Sequence, residues 1–119
     1  MTLKEIMKLN NFVIVGNTIN EEKYAYKIKN ELIANNYNVA AVYKELASIN
    51  DVPFEIDVID LCINATLGLK FLKENTKPFK VIVIQPGAES EELINYLNEN
   101  NFEYIEGCLL LGLKLYRKE

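Results

Sequence analysis

Three short apolar runs, rich in β-branched residues, alternate along the chain with segments of helical periodicity. The runs are Phe12 to Val15, Ile56 to Ile63 and Val81 to Ile84. Because they are continuously apolar rather than alternating, they predict strands of a parallel sheet that is covered on both faces. The shorter runs Val39 to Val42 and Phe102 to Ile105 predict strands farther from the sheet centre.

The segments between the strands predict three helices, from about Tyr24 to Leu32, from about Leu67 to Leu72, and from about Ser90 onward. Apolar residues recur in them at three- and four-residue spacing. The pair Asn35-Asn36 predicts a left-handed end to the first of these helices. The last apolar run, Leu109 to Leu115, predicts a final strand or a flap on the core, and it can also serve as a dimer edge.

Strands that alternate with helices imply parallel pairing through right-handed crossovers. We therefore expect a single α/β domain over residues 1–119, a doubly wound parallel sheet of about five strands with helices on both faces. Ligands bind such sheets outside the carboxyl ends of the strands, where the strand order reverses. The reversal is expected between the strand from Phe12 and the strand from Ile56.

Composition removes several functional classes. The chain has no histidine, which excludes Ser-His-Asp and Cys-His catalysis and histidine-rich metal sites, and no metal site is predicted. A net charge of -4 argues against nucleic acid as a partner. There is no apolar stretch long enough for a signal peptide or a membrane span. Cys62 and Cys108 are expected to be reduced thiols, which is typical of a cytoplasmic protein.

The segment after the first strand is the first candidate ligand site. Gly16 would let a ligand approach the backbone, and exposed amides at the start of the next helix can hold a phosphate near Asn17, Thr18 and Lys23. The G-x-G-x-x-G pattern of dinucleotide-binding loops is absent. An ordinary turn with a Thr18 or Asn20 helix cap explains the same residues equally well.

Polar residues at two other strand ends extend the candidate site. Asn64 can cap the following helix or offer its amide to a ligand, and the Pro86-Gly87 turn should present free amides at the same edge, beside Gln85. Asp60 lies within a buried strand. It must therefore be hydrogen-bonded, for example to the Gly16 loop, reach solvent at the sheet end, or be shifted toward its neutral form.

Four segments carry a family resemblance: Val13 to Gly16, Ile56 to Asn64, Ile84 to Glu92, and Ile105 to Cys108. Together they resemble the small stand-alone CoA-binding domain proteins, whose Rossmann-like fold is shared with the nucleotide-binding domain of the succinate-CoA ligase alpha subunit. The resemblance implies that the loop Gly16-Asn17-Thr18 holds the phosphates of CoA. It also implies that Ile63-Asn64 and Pro86-Gly87 line the crevice.

The leading hypothesis is therefore non-catalytic binding of CoA or a related adenine nucleotide, with backbone amides and Lys23 contacting phosphate. The link from Tyr43 to Pro53 is shorter than the family's loop there, which is expected to cover the adenosine end. The alternative is a ligand-free interaction protein that forms a homodimer. A phospho-receiver is disfavoured because no acidic cluster follows the first strand, and thiol chemistry at Cys62 or Cys108 stays open.

Overall fold

The computed structural model describes residues 1–117. Helices and strands alternate along almost the whole chain. They are, in order, α1 (Leu3–Ile6), β1 (Asn11–Gly16), α2 (Tyr24–Ala34), β2 (Asn38–Tyr43), a 3-10 turn (Ile49–Asp51), β3 (Val58–Cys62), α3 (Ala65–Glu74), β4 (Val81–Ile84), α4 (Glu91–Glu99), β5 (Tyr104–Glu106) and α5 (Leu109–Tyr116).

All the strand pairs are parallel, and the sheet has the order β2-β1-β3-β4-β5. This confirms the predicted doubly wound, Rossmann-like α/β fold with five strands. The chain moves outward from β1 to β2, then returns across β1 to start β3, so the strand order reverses between β1 and β3 as predicted. Strands β2 and β5 lie at the edges of the sheet.

Each face of the sheet builds its own core, because successive side chains of a strand point to opposite faces. One core packs Val13, Val15, Ile59 and Leu61 against α3, α4 and the 3-10 turn. The other packs Phe12, Ile14, Val58 and Val83 against α1, α2 and α5. Burial on both faces explains why the central strands are continuously apolar in sequence.

The ends of the helices follow local sequence signals. Asn36 has a φ of 67°, and the Tyr37 amide donates to the Leu32 carbonyl, so the predicted left-handed end of α2 is confirmed as a Schellman motif. Ser90 begins α4 by accepting a hydrogen bond from the Leu93 amide.

The prediction of a strand or flap at Leu109 to Leu115 is wrong, because this run forms helix α5. The run is apolar at nearly every position, so its periodicity does not separate a buried strand from a buried helix. Leu109 and Leu113 are buried one turn apart against the second core. Gly112 lets α5 approach Met7, whose sulfur would lie 2.9 Å from an added Cβ.

Among residues 1–117, no helix has both the length and the apolar character needed to cross a bilayer.

Candidate functional site at the carboxyl edge of the sheet

The strand register brings three chain segments together at the switch point. Gly16 pairs with Tyr43 on one side and with Cys62 on the other, so β1, β2 and β3 end in one row. Strand β4 ends one position earlier, at Ile84, opposite Leu61. The loops that follow these strands therefore rise from the same edge of the sheet.

A cavity of about 610 Å³ opens at this edge, a volume within the usual range of small-molecule sites. Most of the predicted site residues line it: Asn17, Lys23, Ile63, Asn64, Pro86 and Gly87. Gly16 and Thr18 are buried and do not line it. The predicted strand ends thus converge on one cavity, although the loop after β1 contributes less of its length than expected.

Gly16 is required by internal packing. A Cβ at this position would overlap the carbonyl oxygen of Cys62 and would lie 2.9 Å from the Cβ of Ala25. The glycine therefore lets the end of β1 pack closely against β3 and the first turn of α2. That contact, and not the approach of a ligand to Gly16 itself, sets how near the start of α2 lies to the cavity.

The loop after Gly16 uses some of its own hydrogen-bonding groups. The Oδ1 atom of Asn17 accepts from the amides of Ile19 and Asn20, each at 3.2 Å. Those two amides are therefore engaged within the loop and are not free to bind a phosphate.

Thr18 fastens the same loop to the segment after β2. Its buried hydroxyl donates to Glu45, which also forms an ion pair with Lys29 at 2.7 Å. Burial raises the pKa of Glu45, but the hydrogen bonds from Lys29 and Thr18 outweigh it, so the pKa lies below its ordinary value. Thr18 is thus a structural residue of the loop.

Helix α2 begins without a side-chain cap. The N-cap residue is Lys23, whose side chain makes no capping bond, so the predicted Thr18 or Asn20 cap is wrong. Asn20 instead accepts from the Glu22 amide before the helix starts. Among the described residues, the amides of Tyr24 and Ala25 have no hydrogen-bond acceptor, and both residues line the cavity.

Asn64 and Gln85 cap the two helices that begin on the far side of the cavity. The Oδ1 atom of Asn64 accepts from the Leu67 amide at 3.0 Å, which confirms the capping interpretation for α3. The buried Gln85 accepts from the Leu109 amide at 2.9 Å at the start of α5. In the adjacent turn, the Gly87 amide donates to Glu89 at 2.8 Å, so it is not the free donor that was expected.

Tyr43 forms the wall of the cavity at the β2 end, and the sequence reasoning missed it. Its φ of 113° is an outlier for a residue with a large side chain. The ring is 38% exposed, packs edge-on against Phe71 with centroids 6.2 Å apart, and carries the Lys44 ammonium 4.8 Å from its centroid. The sequence signal that could have identified Tyr43 as a cavity residue is its position at the carboxyl end of β2.

The two aspartates of the β3 region have opposite environments. Asp57 precedes the strand, accepts from the Asn11 amide and pairs with Lys80 at 3.0 Å. Burial raises the pKa of Asp57, but these contacts lower it by more. Its pKa therefore lies below the ordinary value. Asp60 is fully buried within β3, and neither of its carboxylate oxygens has a hydrogen-bond partner among the described residues.

Burial raises the pKa of Asp60 well above its ordinary value, so the carboxyl is shifted toward its neutral form. The alternatives of a bond to the Gly16 loop or of access to solvent are excluded by its contacts and burial. Cys62 lies two residues further along the strand and therefore on the same face. Cys62 and Cys108 are both partly buried free thiols that line the cavity.

Comparison with solved structures returns small proteins with this architecture. A conserved hypothetical protein from Pyrococcus furiosus is 31% identical, with a TM-score of 0.78 over 87% of this chain and 98% of that one. A hypothetical protein from Pyrococcus horikoshii OT3 is 21% identical, with a TM-score of 0.84 over 98% of this chain and 92% of that one. A search among curated protein sequences returns no match.

A family model described as a CoA binding domain matches residues 10–114. The match runs from β1 into α5 and therefore includes every strand of the sheet and every segment that lines the cavity. With the sheet order and the 31% identical relative, it establishes that the chain belongs to the CoA-binding domain family.

Proposed function

We propose that this chain binds CoA, or a related adenine nucleotide, in the cavity at the carboxyl edge of the sheet, without turning it over. The observation that carries the proposal is the uncapped start of α2, which opens onto the cavity at the switch point. Membership in the CoA-binding domain family supports the choice of ligand. The volume of the cavity is sufficient for much of an extended nucleotide.

The start of α2 is the favoured position for the pyrophosphate. Unpaired amides and the helix dipole together attract anions to a helix N-terminus. Helices α3 and α5 start on the far side of the cavity, where Asn64 accepts from the Leu67 amide and Gln85 accepts from the Leu109 amide. Lys23 adds a positive charge at the cavity, which offsets the exposed carboxylates of Glu21 and Glu22.

From α2 the cavity extends in two directions. Toward β2 it reaches the exposed ring of Tyr43, a surface on which a nucleotide base can stack. On the other side it is lined by Gly87, Ala88 and Cys108. We assign the adenosine to the Tyr43 side and the pantetheine arm to the opposite side, because the aromatic wall is at the first end and a narrow amide chain suits the second.

Reversing the charge of Lys23 should weaken CoA binding. For Lys23→Glu we expect the dissociation constant of CoA to rise by roughly 5- to 30-fold, because an attraction of about 1 kcal/mol is replaced by a repulsion of similar size. Isothermal titration at low and moderate salt measures the effect. The difference between wild type and variant should shrink as salt increases.

Lys8→Glu is the matched control, since it changes the net charge equally but lies before β1 at the opposite edge of the sheet. It should bind CoA as the wild type does. Equal losses in both variants would show that net charge, and not the start of α2, governs binding. If millimolar CoA does not raise the melting temperature of the wild-type chain, the proposed function is wrong.

Replacing Tyr43 with glycine should separate stability from binding. Tyr43→Gly removes a strained φ that costs about 1–3 kcal/mol and loses an edge contact with Phe71 of about 0.5–1.5 kcal/mol. The gain and the loss are of similar size, so the melting temperature should change little. The dissociation constant of CoA should rise by about fivefold or more, since a stacking surface is lost.

Tyr43→Phe keeps the ring and should retain the affinity of the wild type. 4′-Phosphopantetheine lacks the adenosine, so its affinity should be the same for the glycine variant and the wild type. If the glycine variant loses affinity for both ligands equally, Tyr43 does not mark the adenosine side.

One observation supports the alternative hypothesis of a homodimer. Leu111 and Leu115, one turn apart on α5, are 49% and 55% exposed and form an apolar stripe. Because this segment is helical, it cannot pair as a strand edge, and a dimer would have to pack helix on helix. Light scattering at high protein concentration tests this second candidate, and a monomer there would reject it.

A further inference from the structure

Gln85 uses only one side of its side-chain amide to hold the fold together. Its Oε1 atom accepts from the Leu109 amide at 2.9 Å. Because a backbone N–H can only donate, this bond fixes which atom of the amide points to α5 and leaves Nε2 on the other side. Among the described residues, Nε2 has no hydrogen-bond acceptor. An unused donor therefore remains on a side chain that is only 4% exposed.

The unused donor of Gln85 is accessible from the cavity, which this residue lines. In the described part of the chain, the two carboxylate oxygens of Asp60 are the only side-chain polar atoms that are both sealed from solvent and without a partner. The Nε2 atom of Gln85 is therefore not sealed, and a ligand in the cavity can reach it. A largely buried donor is stabilised when an acceptor replaces the little water that it contacts.

Gln85 and Tyr43 lie at opposite ends of the row of residues that ends the strands. The last residues of β1, β2 and β3 pair in this row, and the register of β4 places Gln85 next in it, beside Cys62. Tyr43 ends the row at the β2 side, so β1 and β3 separate the two side chains. Gln85 is therefore on the side of the cavity to which we assign the pantetheine arm.

The cavity lining next to Gln85 carries no charge. Burial is the main cause that raises the pKa of Cys62 to about 12, so this thiol is neutral at physiological pH. Pro86 and Ala88 follow Gln85 in the chain and also line the cavity. Among the described lining residues only Lys23 is charged, and it lies at the start of α2. Phosphate is therefore favoured at Lys23, whereas a neutral donor with uncharged neighbours suits a neutral acceptor.

We propose that Nε2 of Gln85 donates a hydrogen bond to an amide carbonyl oxygen of the pantetheine arm, and that Gln85 thereby selects CoA over adenine nucleotides that lack this arm. This selection rests on the proposed binding of CoA and names the part of the ligand that is recognised beyond its phosphates. ADP keeps the adenosine and the pyrophosphate but has no carbonyl group. The bond to the Leu109 amide holds the donor in place before the ligand arrives, which lowers the entropic cost of binding.

The ratio of the affinities for CoA and ADP tests this role of Gln85. In Gln85→Glu one carboxylate oxygen still accepts from the Leu109 amide, and a negative charge is favourable at the start of α5. The other oxygen replaces the donor. By isothermal titration at about pH 8, where the new carboxyl is ionised, we expect the ratio to fall by about 5- to 20-fold. 4′-Phosphopantetheine, which has the arm but no adenosine, should lose affinity by the same factor as CoA.

Asn64→Asp is the matched control for the added charge. Asn64 also caps a helix and lines the cavity, and aspartate keeps the cap while changing the amide to a carboxylate. This variant should weaken CoA and ADP by the same factor and leave their ratio unchanged. Gln85→Met removes the donor without adding a charge. It should lower the ratio as well, although loss of the cap on α5 should also lower its melting temperature.

The same measurements separate this role of Gln85 from the proposed function. If Gln85→Glu leaves the ratio unchanged, CoA and ADP depend on Gln85 equally or not at all, and the assignment to the arm is overturned. The proposed function then stands as long as CoA raises the melting temperature of the wild-type chain. If millimolar CoA does not raise it, both are rejected.

Discussion

An Asp60→Val variant is expected to be more stable than the wild-type chain at pH 7, with a free energy of unfolding larger by about 1–3 kcal/mol. Asp60 is fully buried between Ile14 and Val83 in the middle of the sheet, and neither oxygen has a partner among the described residues. Valine suits a buried strand position and removes the cost of desolvating the carboxyl. Urea unfolding at pH 7 measures the gain.

The pH dependence of the same site provides an independent check. The pKa of Asp60 is raised in the folded chain above its unfolded value near 3.8, so folding retains a proton that the unfolded chain releases. The wild type should therefore lose stability relative to Asp60→Asn as pH rises above about 4, and below that pH the difference in stability between the two should be constant. Asparagine has the same shape but does not titrate, and other carboxyls cancel in the difference.

Two results would contradict this account of Asp60. One is a valine variant that is less stable than the wild type at pH 7. The other is a difference between wild type and Asp60→Asn that does not change between pH 4 and pH 7. Either would mean that the carboxyl is ionised in the folded chain and is stabilised by a partner.

A Gly16→Ala variant is expected to lose about 3 kcal/mol of unfolding free energy or more. The added methyl group would overlap the carbonyl oxygen of Cys62 and crowd the Cβ of Ala25. The Cys62 carbonyl belongs to the backbone of the central strand β3, so it cannot move aside without disturbing the sheet. Because α2 must shift outward, its uncapped start should also leave the cavity, so CoA binding should weaken together with stability.

Gly68→Ala is the control for the loss of a glycine. The nearest atoms to an added Cβ at this helical position are 3.7 Å away, an ordinary contact. This variant should be neutral or more stable by about 0.5–1 kcal/mol, because alanine favours the helix. If urea unfolding shows Gly16→Ala to be as stable as the wild type, the close approach of β1, β3 and α2 is not a constraint on the fold.

Local patterns determined the arrangement of the sheet. The three β-branched runs and the helical segments between them were sufficient for a parallel doubly wound sheet, because a short connection through a helix permits little else. The left-handed end of α2 at Asn36 was also readable, since asparagine tolerates a positive φ where most residues do not. The edge of the sheet at which the cavity opens followed from the strand order.

Contacts between distant segments were decided only by the tertiary structure. The sequence places Gly16, Ala25 and Cys62 far apart, yet their packing determines where α2 begins. Gln85 lies at the predicted ligand edge in sequence, but it caps α5, a helix that periodicity alone could not separate from a strand. Whether Asp60 found a partner depended on which side chains the helices bring to its face of the sheet, and the buried side chains that form the core there are mostly apolar.

The sequence by itself therefore determined the order of the five strands and the edge of the sheet at which a ligand can bind. Only the tertiary structure decided which amides at that edge are free, that Tyr43 forms a wall of the cavity, and that Cys62 and Cys108 share it. The physical reason is that periodicity and turn chemistry act between neighbours in the chain. Hydrogen-bond occupancy and burial instead depend on strand register and helix packing, which join residues that are far apart in sequence.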